Sequence, residues 1–383
     1  MVESEKHDVT LNPERQEVAR RYARQNRQLL VVDLGISAAL VLAFLLSGAS
    51  RLLEALLVGW GLSSPWILVA AYIGLVFVAY TLLLMPLSYY SGFVLPHRYG
   101  LSTQTLSGWL TDEAKSFGLG VVLGLPVAEV VYWLLRTYPD TWWLWASAFL
   151  LVLNVIVGYL APVLLLPLFY KLTPLDNPDL AERIRRLAER AGARIVGVYS
   201  IDMSRRTTAA NAMIIGLGNT RRIALGDTLR GDYSPEEVET IVAHELGHQV
   251  HHDLELQVIL SVVTLTASLY LAHLFLRWGV ALFGFQGPGD VAALPLVLIA
   301  TGLFSLVIMP VTNGYSRWRE SMADRYAIRV TGNATAFAQA MVRLANQNLS
   351  DANPPRWVVW LLYSHPPIAE RVRQAELTVY SQG

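Results

Sequence analysis

Six stretches of this chain, roughly 29–48, 66–90, 117–136, 142–170, 254–276 and 291–312, are long and apolar enough to cross a bilayer. That pattern removes most folds from consideration. Lipid offers backbone N–H and C=O groups no partner, so each run must close its hydrogen bonds within itself, as an α-helix does. Composition agrees: 54% of residues are hydrophobic and 16% are charged, the balance of a membrane protein. Residues 51–62 are too short and too polar for a seventh span. A formal net charge of zero gives no reason to expect a nucleic-acid partner. With no cysteine in the chain, disulfides, thiol nucleophiles and thiolate metal sites are excluded, and any metal must be held by His, Asp or Glu.

Arginine and lysine orient the spans. Residues 1–28 are polar, carry Arg15, Arg20, Arg21, Arg24 and Arg27, and lack a clear small-residue cleavage site. They read as a cytoplasmic segment rather than a signal peptide. Six crossings bring the chain back to the same side. The connections near 49–65, 137–141 and 277–290 then lie outside with few positive charges, and 91–116, 171–253 and 313–383 lie inside with most of them. The expected division is an N-terminal segment (1–28), N-terminal membrane helices (29–170), a soluble unit (171–253), a membrane hairpin (254–312) and a C-terminal cytoplasmic part (313–383). Asp33 and Glu129 fall inside apolar runs, where a carboxylate faces either a cavity or an interface.

The soluble unit has its own punctuation. Asn177 before Pro178 starts a helix with an apolar stripe at Leu180, Ile184, Leu187 and Ala191, and Gly192 ends it. Ile195–Ser200, Asn211–Leu217 and Ile223–Leu225 read as strands, with a turn at Gly218 and Asn219. Ser234-Pro235-Glu236-Glu237 is a capping box with proline at the first helical position. The helix it starts contains no proline and is expected to run on into the span at 254–276.

That helix carries His244-Glu245-Leu246-Gly247-His248. Positions i and i+4 share a helix face, so both imidazoles can reach one metal ion, and Glu245 can take a proton from water beside it. A catalytic zinc typically has three protein ligands and one open position. Glu320, just past the last span and on the same side of the membrane, is the best third ligand. Asp324 shares its helix face and can hold the far nitrogen of a ligand imidazole. His251 and His252 read as interfacial.

H-E-x-x-H, followed after two spans by N-x-x-S-R-x-x-E-x-x-A-D over Asn313 to Asp324, resembles the M48 zinc metallopeptidases, and most closely the type I integral membrane CAAX prenyl proteases. Tyr99-Gly100-Leu101-Ser102, Ala161-Pro162, Leu172-Thr173-Pro174-Leu175, Asn211-Ala212, and Ser364-His365-Pro366 with Arg371 extend the similarity over roughly 66–375. The resemblance implies one Zn2+ on His244, His248 and Glu320, with Glu245 as general base and Asp324 in support. It places His365 and Arg371 at the scissile carbonyl or its oxyanion, and has Asn211 and its strand pair with an extended substrate.

The fold it implies is mainly α and polytopic. Six membrane helices, where eukaryotic members have seven, form a helical chamber with a small α+β, gluzincin-like domain. The expected protein is a prokaryotic endopeptidase of the cytoplasmic membrane, its active site facing the cytoplasm. Its partners would be the bilayer and a peptide or protein substrate with or without a lipidated C-terminus. Two other functions stand beside this one: quality control of membrane proteins, as in the HtpX branch of the family, and a metal-containing chamber or transporter without catalysis. A structural zinc site needs neither Glu245 nor an open position, which weighs against the last.

Overall fold

The computed structural model describes residues 10–382 apart from 217 and 230–232. The Leu217 end of the expected strand and the first residues of segment 1–28 lie outside the described residues. Helix α1 (Pro13–Leu46) begins where the Asn12 side chain accepts the Arg15 backbone N–H at 3.0 Å, and it joins the polar start and the first apolar run in one rod. Helix α2 (Ala49–Gly59) has eleven residues, about 16 Å of rise, too little to span. Helix α3 (Pro65–Tyr89) widens into a π-turn at Tyr90–Val94 and continues as α4 (Leu95–Arg98). Helix α5 (Leu106–Thr137) is capped by Thr105. Helix α6 (Trp142–Leu160) passes through a second π-turn at Ala161–Leu165 into α7 (Leu166–Phe169). Pro162 sits in that turn, where its missing N–H removes a rung of the helical ladder.

The soluble domain follows: β1 (Leu172–Pro174), α8 (Pro178–Arg190), β2 (Gly197–Ile201), β3 (Ala212–Ile215), β4 (Arg222–Gly226) and α9 (Pro235–Val250). The chain then crosses twice, as α10 (Asp253–Phe283) and α11 (Leu294–Thr331), and ends in α12 (Ala334–Gln347), α13 (Arg356–Leu362) and α14 (Ile368–Gln382). Strand order is β1-β2-β4-β3, with β2 and β4 parallel and the outer pairs antiparallel. Strand β3 is therefore an edge, with one side unpaired among the described residues. Behind the sheet, Ile184 and Leu187 of α8, Val242 and Leu246 of α9, and Phe337 and Ala340 of α12 form a closed core. Burying each of the larger side chains removes enough apolar surface to contribute about 1.5–3 kcal/mol.

Among the described residues, six helices are long and apolar enough to cross a membrane, matching the six runs read from sequence. Hydrophobic burial cannot hold such helices together within lipid, so close approach and polar contacts matter more. A Cβ on Gly279 would lie 2.7 Å from a Leu296 methyl, so glycine lets that side chain seat directly against α10. Ser50 bonds the Tyr72 hydroxyl at 2.7 Å and also the Ala292 carbonyl, tying α2 to α3 and to the turn before α11.

One sequence expectation changes and two features are new. The helix of the H-E-x-x-H motif does not run into the next span: it stops at Val250, and His252 adopts a left-handed conformation with φ of 56° before α10 starts. A turn needs no proline when one residue enters that region, though a non-glycine residue does so only when its surroundings hold it there. The last span and the Glu320 segment are not separate elements, because α11 runs unbroken through both for 38 residues. The short strand β1 was not anticipated; it is three residues long, too short for a period-2 pattern to register.

Candidate active site

Helix α9 is fixed at its start by the reciprocal capping box: Ser234 Oγ accepts the Glu237 N–H at 3.2 Å and Glu237 Oε2 accepts the Ser234 N–H at 2.7 Å. Val242 and Leu246 anchor one face in the core, which turns His244 and His248 towards α11. The two helices meet at Gly247, where a Cβ would stand 3.0 Å from the Ala323 Cα. This close contact sets Glu320 against the histidines. His244 Nε2 and His248 Nε2 are 3.3 Å apart, and the Glu320 carboxylate oxygens lie 3.2 Å from the first and 3.5 Å from the second.

These separations permit a test of whether a metal fits. A tetrahedral zinc with bonds of about 2.05 Å sets its ligand atoms about 3.3 Å apart. The other nitrogen of each ring is already committed. His244 Nδ1 is 2.8 Å from Asp324 Oδ1, and His248 Nδ1 is 2.6 Å from Asp253 Oδ2. A nitrogen facing a carboxylate carries the proton, so both Nε2 atoms present lone pairs. They converge on Glu320, whose Oε2 is buried and has no hydrogen-bond partner among the described residues. Lone pairs and a carboxylate brought this close repel unless a cation lies between them. The set His244, His248 and Glu320 fits one divalent ion, and its N2O donors suit zinc.

The carboxylates behind the rings are themselves held. Asp253 also receives the Arg319 guanidinium, whose Nη2 donates to the His251 carbonyl at 2.6 Å. His251 packs edge-on against Tyr326 rather than facing the ligand cluster. Asp324 receives Arg371, with Nε at 2.8 Å from Oδ2 and Nη2 at 2.5 Å from Oδ1. Two of the three Arg371 nitrogens meet Asp324 and its side chain is buried, 8% exposed, while the residue also borders the cavity beside Glu245. Asp253 and Arg319 were not anticipated. Five residues past His248, Asp253 would point to another face of a continuous helix. The left-handed turn at His252 brings it back.

Glu245 lines a cavity of about 740 Å³ together with His244, Asn211, His365 and Arg371. Burial pushes its carboxyl up from the usual carboxylate range, with His244 and His248 opposing that shift. His365 follows α13, with Nε2 3.3 Å from Glu320 Oε1 and Nδ1 2.9 Å from the Ser364 hydroxyl. Its side chain is 60% exposed, so it stands at the rim of the metal cluster. Asn211 sits immediately before β3, and its carbonyl accepts the Gly226 N–H at 2.9 Å.

A mainly helical membrane domain joined to an α+β unit with this metal-ligand geometry defines a membrane metallopeptidase. The chain belongs to peptidase family M48, and so to the zinc metalloendopeptidases: the M48 model matches residues 174–379, and a model described as CAAX prenyl protease N-terminal, five membrane helices, matches residues 5–171. Among its relatives are "Uncharacterized metalloprotease YhfN" of Bacillus subtilis and "CAAX prenyl protease 1" of Saccharomyces cerevisiae. The first is 30% identical over 379 residues, 96% of this chain and 86% of the relative. The second is 32% identical over 320 residues, 79% and 70% of the two chains. The crystal structure of S. mikatae Ste24p superposes with a TM-score of 0.87 at 27% identity, covering 97% of this chain and 90% of that one. Among the described residues, the region matched by the N-terminal model has four helices of span length, with α2 as a shorter fifth.

Proposed function

We propose that this protein is a zinc-dependent endopeptidase of the CAAX prenyl protease type, cutting peptides near the C-terminus at the cytoplasmic face of a prokaryotic membrane. The observation that carries the proposal is the near-tetrahedral spacing of His244, His248 and Glu320 beside Glu245 in an open cavity. Zinc held there would supply Lewis acidity, which makes water nucleophilic near neutral pH and polarises a carbonyl.

The chain's own groups do the rest. Glu245 takes the proton of the attacking water and returns it to the leaving amine, as a general base and then a general acid. His365 Nε2 donates to the developing oxyanion. Arg371 acts through Asp324, holding His244 in the tautomer that presents Nε2. Asn211 introduces the edge strand β3, where an extended substrate can add its backbone and be held in register irrespective of sequence. Residues 171–253 and 313–383 together make the peptidase, joined through the hairpin at 254–312. The Arg and Lys distribution supports the cytoplasmic orientation. The similarity to CAAX prenyl protease 1 over 79% of this chain, together with the match of residues 5–171 to the CAAX prenyl protease N-terminal model, favours C-terminal, lipidated substrates over the quality-control alternative.

The test uses purified protein in detergent, with zinc content and cleavage of a farnesylated CAAX peptide and its unlipidated counterpart measured together. Glu245→Gln should keep zinc and lose at least about 10²-fold in rate. Equal cleavage by this variant would sink the mechanism, and equal cleavage of both peptides would remove lipid recognition.

A further inference from the structure

The catalytic cavity has one wall that the chemistry above does not use. Tyr22, Asn26 and Arg27 of α1 line it alongside Glu245 and His365. Arg27 makes no hydrogen bond or ion pair with any described residue, and its Nη1 is buried without a partner. An arginine near a bilayer surface ordinarily extends its head group to water or lipid phosphate. Arg27 does the opposite, turning in towards the cavity. Arg27 is half-buried, and leaving even one guanidinium nitrogen buried without a partner is costly.

This position is held in place. The start of α1 is tied to the soluble domain: Arg15 Nε donates to the Asn346 carbonyl at 2.7 Å, Gln16 Nε2 donates to the Ser350 carbonyl at 3.2 Å, and Gln16 Oε1 accepts the Ala352 N–H at 3.0 Å. Gln25 Oε1, two residues before Arg27, accepts the Tyr99 hydroxyl at 3.0 Å. Asp351 also lines the cavity, but no ion pair joins it to Arg27, and its Oδ1 accepts the Asn353 N–H at 3.2 Å. The remaining cation of the wall, Arg371, is taken by Asp324. Among the described residues, Arg27 is thus the unpaired arginine lining this cavity.

We infer that Arg27 binds a carboxylate of the substrate, and that this carboxylate is the peptide's C-terminus, which makes Arg27 the residue that restricts cleavage to bonds near a chain end. The inference rests on the peptidase reading. A peptide brings a carboxylate either at its C-terminus or on an Asp or Glu side chain. The terminal one is the better match, because a site that reads backbone along an edge strand needs an anchor present in every sequence. A cavity of about 740 Å³ also has room for only a short segment between anchor and scissile bond.

The experiment measures binding and cleavage separately. Zinc-loaded Glu245→Gln protein in detergent is titrated with three fluorescent peptides of one sequence: a free C-terminal acid, a C-terminal amide, and an amide carrying one added Glu. The acid should bind about tenfold or more tighter than the amide, as charge-assisted hydrogen bonds allow. The added Glu should not restore affinity. Introducing Arg27→Gln should collapse the acid-to-amide ratio to below about twofold, Arg27→Lys should recover part of it, and Arg185→Gln on the exposed face of α8 should leave it intact. Three outcomes would each overturn the assignment: a ratio near one in the protein that keeps Arg27, an undiminished ratio after Arg27→Gln, or full rescue by the Glu peptide. Cleavage by the protein with Glu245 intact is scored in parallel. A preference that depends on Arg27 without any cleavage would refute the peptidase reading and leave the carboxylate site standing.

Discussion

Gly247 lies inside the H-E-x-x-H motif, and changing it to alanine probes how α9 and α11 share the metal. In an ordinary helix interior, Gly→Ala stabilises by about 1 kcal/mol. Here a Cβ would meet the Ala323 Cα at 3.0 Å, Tyr326 Cδ1 at 3.2 Å and the Ala323 Cβ at 3.3 Å, all inside the 3.4 Å at which ordinary contact begins. A backbone Cα cannot rotate aside, so α11 must retreat by a few tenths of an ångström, at an overpacking cost of about 1–3 kcal/mol. The two terms nearly cancel, so the fold should lose no more than about 2 kcal/mol. The metal does not tolerate the same shift. Ala323 lies one turn beyond Glu320, and the ligand separations of 3.2–3.5 Å would open past the tetrahedral edge. Since metal–ligand distances are held within about 0.2 Å, zinc affinity should fall by about tenfold or more.

The assay is competition with a chromophoric chelator, run with melting curves in the presence and absence of zinc. Gly302→Ala is the control, because nothing lies within 4 Å of the Cβ it would add to α11. Zinc affinity unchanged by Gly247→Ala, or stability raised as in an unconstrained helix, would refute the argument that this contact sets the ligand geometry.

Asp253→Ala removes the acceptor that fixes His248, so zinc affinity should fall about 10–100-fold in the same competition; no change would show that the ring needs no such support. Arg371→Met leaves the Asp324 carboxylate buried without its cation and should cost about 3–5 kcal/mol in thermal or denaturant unfolding. Adding Asp324→Asn should return part of that loss, and a double variant less stable than the single would contradict a simple ion pair.

Much of the membrane domain was legible because its constraint is one-dimensional: about 20 apolar residues in lipid leave the backbone one economical conformation. The convergence of His244 and His248 was legible for a similar reason, since a capping box fixes the helix and the helix fixes i and i+4. What escaped depended on single residues acting against local pattern. Nothing in the run Val250-His251-His252-Asp253 announces that His252 will turn left-handed, yet that turn delivers Asp253 to His248. Arg371 was recognised as belonging to the site, but its partner was not, because 47 residues separate it from Asp324 and only the packing of α14 brings them together. Arg27 was one of several positive charges in a polar segment, and only the cavity distinguishes it.

The proposed metal site draws His244 and His248 from α9 and Glu320 from α11, with the two helices of the membrane hairpin between them. This separation also acts as a clock. A chain still emerging from the ribosome has both histidines and Glu245 long before Glu320 is made, and it must then thread two more helices through the bilayer. During that interval it is a pair of imidazoles on a helix without the carboxylate that completes the cradle. On the proposed mechanism, hydrolytic competence therefore arrives last, after the sixth membrane helix, so a molecule stalled or mis-inserted on the way would not become a peptidase loose at the membrane surface.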